Sequence, residues 1–503
     1  MSDGGGRGPG MHMLRGSAWM IALRWAIRLT GVVSTIVLAR LLTPKDFGVV
    51  AIAMIVVGMF ETLNLTGQGL AIIRHEDPTR EHYDTAWTVT VLIGFGIAAA
   101  ILIAAPLTKI YFHDERSIIV MQCLALRAIM GGFENIGTLD FRRDLKFGRV
   151  FGYNFYAKLI SFVITIVAAV ILRNYWALVA GILSGQFART ILSYVMHPYR
   201  PRISFAKMSE IWSFSIWTFI RSLGSYFLTQ VDVIAVGGVA GASSMGRYTM
   251  AKDIASSPTF EIVTPMVSVL FPVMARYQND PPQLRQLYLR ILGWATIIGA
   301  STGVGIWLVA PDMVPLVLGS KWVDITPLIG WLALNASVAT LNSGAYTTLD
   351  VIGLPHFGAR LQWVRVAVLA AAMFPVAYWT HSLLTLVITR FVVTAVLVPS
   401  LLIVTGRRTG VTWRDYASAL WRPFMAGVTM VLVVWPLNEI LPGGPVRLVL
   451  DMVLGTLVYT GTLMALWNLS GRPVSAERDL LSLLERGQIM FGTIRARVLK
   501  AAQ

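Results

Sequence analysis

Charged side chains inside apolar segments are the residues of this sequence best suited to chemistry. Arg24 and Arg28 lie four positions apart in the apolar stretch from Ser17 to Leu42, which places both on one face of a helix. A cation that faces lipid at such a depth costs roughly 2.5–3.5 kcal/mol on insertion scales. We therefore expect both guanidinium groups to face the protein interior or a wet cavity, where they could grip an anionic group bidentately. Bonding to helix carbonyls or to an acidic partner is the alternative.

Other polar residues in apolar segments extend this candidate site. Arg221 could bind the same anion from another helix, or could snorkel to the membrane interface. Lys252 is a further cation, and Tyr226 could stack on a sugar or anchor a helix at the interface. Four acids could bind a coupling proton or sodium ion, or could simply neutralise the cations: Glu61, Asp232, Asp253 and Glu261. No metal site and no other cofactor is expected.

Composition defines the elements that must position these residues. The chain has 503 residues, of which 55% are hydrophobic and only 14% charged, too few charges to cover a soluble surface of this size. The net charge of +16 is scattered over short loops, which is typical of the positive-inside rule rather than of nucleic-acid binding. The sequence therefore predicts an all-α polytopic membrane protein with about 14 transmembrane helices. These span roughly 17–41, 46–64, 85–112, 117–140, 148–172, 175–196, 209–238, 245–275, 286–311, 324–352, 357–379, 381–405, 416–441 and 445–468.

Two pairs of matching positions indicate an internal repeat. Trp19 and Gly48 are 29 positions apart, and Trp217 and Gly246 show the same spacing. The offset between these two pairs is 198 residues. Each pair brackets an apolar helix and a short turn, so the pattern favours a duplicated helical bundle, a plan that recurs in secondary transporters.

A second echo follows in the same order. Leu139-Asp140 with Phe147-Gly148 matches Leu349-Asp350 with Phe357-Gly358 at an offset of 210 residues. The difference between the offsets predicts a 12-residue insertion, which we expect near residues 279–286.

Basic residues in the connecting segments predict the orientation. Counted over alternate connections, Lys and Arg number sixteen on one side and seven on the other. The richer set includes the connections at 65–84 and 141–149, so this set and both termini are expected in the cytoplasm.

Several short motifs carry a family resemblance. They are the hairpin at 39–48, then 67–74, 231–234, 245–251 and 318–322. With these motifs the chain, over about residues 17–405, resembles the polysaccharide transporter (Wzx-type flippase) branch of the multidrug/oligosaccharidyl-lipid/polysaccharide superfamily. Within that branch it looks most similar to exporters of colanic acid or succinoglycan-type repeat units.

The resemblance implies an architecture. It comprises two pseudo-symmetric six-helix bundles around a central cavity (17–208 and 209–405) and two accessory helices (406–468). An N-terminal tail (1–16) precedes them. A C-terminal tail (469–503) follows, and its apolar residues recur at near-helical spacing, which predicts an amphipathic helix on the inner membrane face or, as the alternative, a frayed, solvated tail. Both tails are expected in the cytoplasm.

The resemblance also implies a function. The substrate would be an undecaprenyl-pyrophosphate-linked oligosaccharide, flipped across the bacterial cytoplasmic (inner) membrane by alternating access for exopolysaccharide, O-antigen or capsule assembly. Membrane lipids are expected partners, and polysaccharide polymerase and chain-length co-polymerase proteins are candidate ones.

Two other functions are weighed against the flippase. A cation-coupled multidrug antiporter of the same superfamily would need an acidic, aromatic cavity, and the intramembrane arginines argue against one. A membrane glycosyltransferase or polymerase would need paired acids in an outer loop or a large outer loop. The outer loops here are short, and the one Glu-x-Asp pair, Glu477 and Asp479, lies in the C-terminal tail. We therefore expect a transporter rather than an enzyme.

Overall fold

The computed structural model describes residues 9–64, 78–144, 146–208, 216–473 and 475–481. Within these ranges every long regular element is a helix. Ten helices are long and apolar enough to cross a membrane, counted over the same ranges and judged by length and composition. One of them, Ile216–Arg276, bends at Gly241, where φ is 71°, and so covers two predicted spans.

We number the helices of the described ranges α1 to α15 in chain order. Their bounds are α1 Pro9–Leu41, α2 Pro44–Asn64, α3 Arg80–Phe112, α4 Arg116–Gly132, α5 Asp140–Arg143, α6 Phe147–Leu172, α7 Trp176–Met196, α8 Ile216–Arg276, α9 Pro281–Met313, α10 Thr326–Ala339, α11 Ala345–Val351, α12 Pro355–Thr380, α13 Leu383–Thr409, α14 Trp413–Ile440 and α15 Pro445–Leu469.

The chain forms two compact units. The first holds Met1–Thr249 together with Val317–Lys321. In this unit α1 packs on α6 and α7, where Leu38 forms a core with Ala169 on α6 and Ala177 on α7. Unit 1 therefore includes the first part of α8 as well as α1 to α7. The predicted division into bundles at 208/209 follows the sequence repeat rather than compactness, and it stays a prediction.

The second unit holds Met250–Leu316 and the described chain from Trp322 onward. One core forms where Tyr288 on α9 and Tyr416 on α14 pack together with Leu402 on α13. Another core joins α14 and α15 to α9, where the Tyr459 hydroxyl donates to the Ile297 carbonyl at 2.9 Å. The two predicted accessory helices therefore pack directly on α9.

Helix positions support the duplication and correct the predicted insertion site. Helices α3 and α9 are both 33 residues long, and their first residues, Arg80 and Pro281, are 201 positions apart. Helices α4 and α10 begin 210 positions apart, at Arg116 and Thr326. Most of the extra residues therefore lie between α9 and α10, at 314–325, and the prediction of 279–286 was wrong. No matching residues lie between the two pairs of repeated positions, so the sequence alone could not place the insertion more closely.

The inserted segment caps a helix of unit 1. Its Lys321 Nζ donates to the Arg40 carbonyl at 2.8 Å and to the Leu42 carbonyl at 3.2 Å. These carbonyls stand at the C-terminal end of α1, where helix carbonyls lack intrahelical partners and a cation is favourable. This contact explains the motif at 318–322.

The second pair of repeated positions, at Leu139 and Leu349, lies in equivalent local structures. Leu139 ends a short 3-10 helix before α5 and α6, and Leu349 lies in the short helix α11 that precedes α12. Both long helices that follow, α6 and α12, end on a residue in the left-handed region with φ of 49°, Arg173 and His381. The two halves of the repeat thus share a short helix before a long one and a left-handed residue at the end of the long helix.

Two predicted spans are broken in the structure. The span at 117–140 ends at Gly132, since Asn135 caps the following 3-10 helix by accepting from the Gly137 N–H at 3.0 Å. The span at 324–352 is interrupted at Gly344, where φ is 79°. Both breaks depend on local caps that an apolar average does not reveal.

Candidate functional site

The two repeat-related hairpins touch backbone to backbone. A methyl group added at Gly48 would overlap the carbonyl oxygen of Ala242, and one added at Gly246 would overlap the carbonyl oxygen of Pro44. Pro44 and Ala242 are 198 positions apart, as are Gly48 and Gly246. The contact is therefore its own twofold counterpart, as in an isologous interface. We call it the glycine crossing. Only glycine permits so close an approach of the two backbones.

A charged pair lies deeper in the same unit. Arg127 on α4 meets Glu61 on α2 with 3.2 Å between Nε and Oε1, and both side chains are part-exposed at 27% and 29%. Tyr226 on α8 lies against this turn of α2, since it packs on Gly58 and its hydroxyl donates to the Ile55 carbonyl. The predicted acid Glu61 is therefore held by a cation, and the predicted sugar-stacking Tyr226 has its hydroxyl engaged in helix packing.

Asp232 is fully buried on α8. Its Oδ2 accepts from the Tyr248 hydroxyl at 2.6 Å, across the bend at Gly241. This bond ties the two arms of α8 together beside the glycine crossing. The predicted acid is thus placed in a polar contact within unit 1.

The remaining predicted residues are distributed as follows. Arg28 is half-buried on α1, and helical backbone through Arg24 and Arg28 confirms that the two share a face. In unit 2, Lys252 is half-buried, whereas Asp253 and Glu261 are exposed. The side chains of Arg24 and Arg221 lie outside the described part of the structure, as does the motif at 67–74.

Comparison with known proteins identifies the family. Residues 37–327 match the model of a family described as polysaccharide biosynthesis protein, Polysacc_synt_3. The chain belongs to this family.

Two curated relatives of this polysaccharide biosynthesis protein cover nearly its whole length. It is similar to the lipopolysaccharide biosynthesis protein WzxC of Escherichia coli (strain K12), with 23% identity over 86% of this chain and 88% of the relative. It is also similar to the succinoglycan biosynthesis transport protein ExoT of Rhizobium meliloti (strain 1021), with 24% identity over 84% of this chain and 87% of the relative.

A solved structure shares the fold. The lipid II flippase MurJ in an inward closed conformation superposes with a TM-score of 0.70 at 11% identity, covering 90% of this chain and 99% of that one. The polysaccharide biosynthesis protein therefore has the fold of that transporter.

The structure reveals intramembrane charges that sequence reasoning missed. Arg365 on α12 is 5% exposed and donates through Nη1 to the Tyr346 hydroxyl at 3.0 Å, while its Nε has no hydrogen-bond partner among the described residues. Arg390 lies on the neighbouring helix α13. Both fall within predicted spans, so the rule that selected Arg28 could have found them.

A second missed cluster joins α9 to α15. Asp312 accepts from the Arg447 guanidinium through both oxygens and from the Gly444 N–H at 3.1 Å. Arg447 also donates to the carbonyls of Asn438 and Leu441. One turn further along α15, Asp451 is 1% exposed, and neither of its oxygens has a hydrogen-bond partner in the described ranges. No sequence motif marks these residues.

A cluster of metal ligands would be a further kind of site. The described ranges hold no cluster of three or more His, Cys, Asp or Glu side chains that could bind a metal ion.

Proposed function

We propose that this protein flips an oligosaccharide carried on a pyrophosphate-linked polyprenyl lipid across the bacterial cytoplasmic membrane. The observation that carries the proposal is the placement of cations inside the spanning helices. Arg365 is buried on α12 with a phenol as partner, and Arg28 is half-buried on α1. Guanidinium groups in a medium of low dielectric suit the oxygens of a phosphate, which accept two parallel hydrogen bonds.

The sequence of the second unit favours an anionic cargo over a cationic one. Helices α12 and α13 contain no acidic residue, although they carry Arg365 and Arg390 within their apolar runs. A cation-coupled antiporter for cationic drugs would place acids there instead. We assign headgroup binding to Arg24, Arg28 and Arg221 of unit 1, with Tyr226 as a further contact, and Glu61 to pairing with Arg127.

The glycine crossing supplies the element that alternating access requires. Two repeat-related hairpins meet at one end of unit 1, so their separation would open that end while the contact itself keeps it closed. We propose that this end faces outward, because the charge count of the connections places the turns at 42–43 and 241 outside. The MurJ structure that shares the fold is in an inward closed conformation.

The proposal includes no bond-breaking step. The relatives are described as biosynthesis and transport proteins, which supports transport as the role. Polymerase and chain-length co-polymerase proteins would then receive the flipped unit. A proton or sodium ion is the proposed coupling ion, with Asp232, buried and bonded to Tyr248, as the acid that would bind it.

Reconstitution tests the proposal. Purified protein in proteoliposomes should move a fluorescent polyprenyl-pyrophosphate oligosaccharide from one leaflet to the other. In protein-free vesicles dithionite quenches only the half of the label that lies in the outer leaflet. In vesicles with active protein it should quench more than that half. The same vesicles should leave a cationic dye undisturbed. Dye export without movement of the labelled lipid would overturn the flippase and favour the antiporter.

A further inference from the structure

A cavity of about 330 Å³ lies in the second unit, where α9 and α14 begin and α15 ends. Its walls include Arg290 on α9, and Ser418 and Arg422 on α14. The segment 475–481 closes it, with Glu477 as a lining residue. We call this space the tail cavity.

Arg422 lines the tail cavity and has buried donors without hydrogen-bond partners among the described residues. It is 3% exposed, and its Nη2 donates to the Ser418 carbonyl at 3.1 Å. Its Nε lies 3.2 Å from Glu477 Oε1, close enough for an ion pair but without hydrogen-bond geometry. Its Nη1 is buried and has no hydrogen-bond partner among the described residues. Since a buried donor without an acceptor is unfavourable, this guanidinium lacks an anion or other acceptor at Nη1.

Arg290 repeats the arrangement on the opposite wall. Its Nη2 donates to Asp479 Oδ1 at 2.8 Å, whereas its buried Nε has no partner in the described ranges. Two carboxylates of the tail thus sit on two guanidinium groups and leave a donor of each unused. The cavity is large compared with one water, which occupies roughly 30 Å³ of the liquid, so a phosphate group fits beside the tail.

The rim places the cavity at the membrane surface. Trp421 lines it and is 42% exposed, and a half-exposed tryptophan near a helix end is typical of the membrane interface. Basic pockets between spanning helices at that level bind lipid headgroups. Asp415 and Glu477 balance the two arginines that line this cavity, so an anion can be held there only where Glu477 gives way. We propose that the tail cavity binds the phosphate of an anionic phospholipid headgroup between Arg422 and Arg290, in competition with the Glu477 carboxylate.

Lipid binding to the purified full chain tests this proposal without any transport step, so its failure is separate from a failure of the flippase. The probes are nanodiscs of phosphatidylglycerol or of phosphatidylcholine, and native mass spectrometry counts the lipids retained. Wild type should retain phosphatidylglycerol selectively. Arg422→Lys keeps the positive charge but loses the planar guanidinium, which can donate two parallel hydrogen bonds. It should weaken phosphatidylglycerol retention about tenfold or more. Glu477→Gln removes the competing carboxylate and should strengthen retention severalfold.

The controls separate this site from general surface charge. Arg407→Lys changes an exposed arginine at the end of α13 and should leave retention unchanged. Equal retention of the two lipids by wild type, or no change in Glu477→Gln, would overturn the proposal even if Arg422→Lys fails to fold. If inorganic phosphate saturates the tail cavity and phosphatidylglycerol is not preferred over phosphatidylcholine, the ligand is not a lipid headgroup.

Discussion

At the scale of single residues, the spanning helices hold charges in two different ways. Arg447 is fully engaged, because Asp312 and two carbonyls take its donors. Asp451 lies close to this pair but has no hydrogen-bond partner in the described structure. A buried carboxylate without hydrogen bonds is unfavourable, and here the attraction of the Arg447 cation is partly cancelled by the repulsion of the Asp312 carboxylate.

Substitution of these two acids should therefore act in opposite directions. Asp312→Asn leaves the Arg447 charge without its partner and should destabilise the protein by about 3–5 kcal/mol. Asp451→Asn removes the unpaired charge and should hold or raise the melting temperature. Thermal unfolding in detergent, followed by intrinsic fluorescence, measures both, and a comparable loss in the two variants would show that Asp451 is a paired acid.

Because of His197, the stability of the fold should depend on pH. It lies in the connection after α7, with Nε2 at 3.4 Å from Asp140 Oδ2. Burial lowers the pKa of His197, against the opposing effect of the Asp140 carboxylate. Because the folded-state pKa is below the unfolded value of about 6.5, protonation favours the unfolded state. The contribution of neutral His197 is present above that pH and is lost as the pH falls below it.

A melting-temperature series from pH 8 to pH 5 measures this effect. Wild type should lose more stability below about pH 6.5 than His197→Gln, which has no titrating group at that position. Parallel curves for the two proteins would mean that His197 does not titrate differently on folding.

At the scale of elements, the hairpins are the part of the fold that the sequence predicted best. The spacing of Trp19 and Gly48, repeated at Trp217 and Gly246, led to a duplication that helices α3 and α9 support in length and order. The sequence could not show that Gly48 and Gly246 contact each other's hairpins, since backbone proximity leaves no periodic signal. It also misplaced the insertion, because Lys321 acts on the distant end of α1.

Gly48→Ala tests the glycine crossing. The new methyl group would meet the Ala242 carbonyl, and a backbone carbonyl cannot rotate away as a flexible side chain can. We expect the hairpins to separate and the flipping rate to fall about tenfold or more, which corresponds to about 1.4 kcal/mol. Gly31→Ala, in open space on α1, is the matched control and should flip at the wild-type rate. A wild-type flipping rate in Gly48→Ala would show that the glycine crossing plays no part in transport.

At the scale of the whole molecule, composition and apolar runs were enough to predict an all-helical membrane protein. The site was harder to predict. Arg28 was selected by its depth in an apolar run, but Arg365 meets the same criterion and was overlooked. The roles of Glu61 and Tyr226 depend on Arg127 and on the Ile55 carbonyl, contacts between helices that sequence separation conceals.

The most direct measurement of the central claim is the flipping rate of a polyprenyl-pyrophosphate oligosaccharide in proteoliposomes containing Arg24→Ala, Arg28→Ala or Arg28→Lys protein. If guanidinium groups bind the headgroup, both alanine variants insert and fold but flip at least about tenfold more slowly, and Arg28→Lys lies between them and wild type. Wild-type rates in both alanine variants would contradict the account.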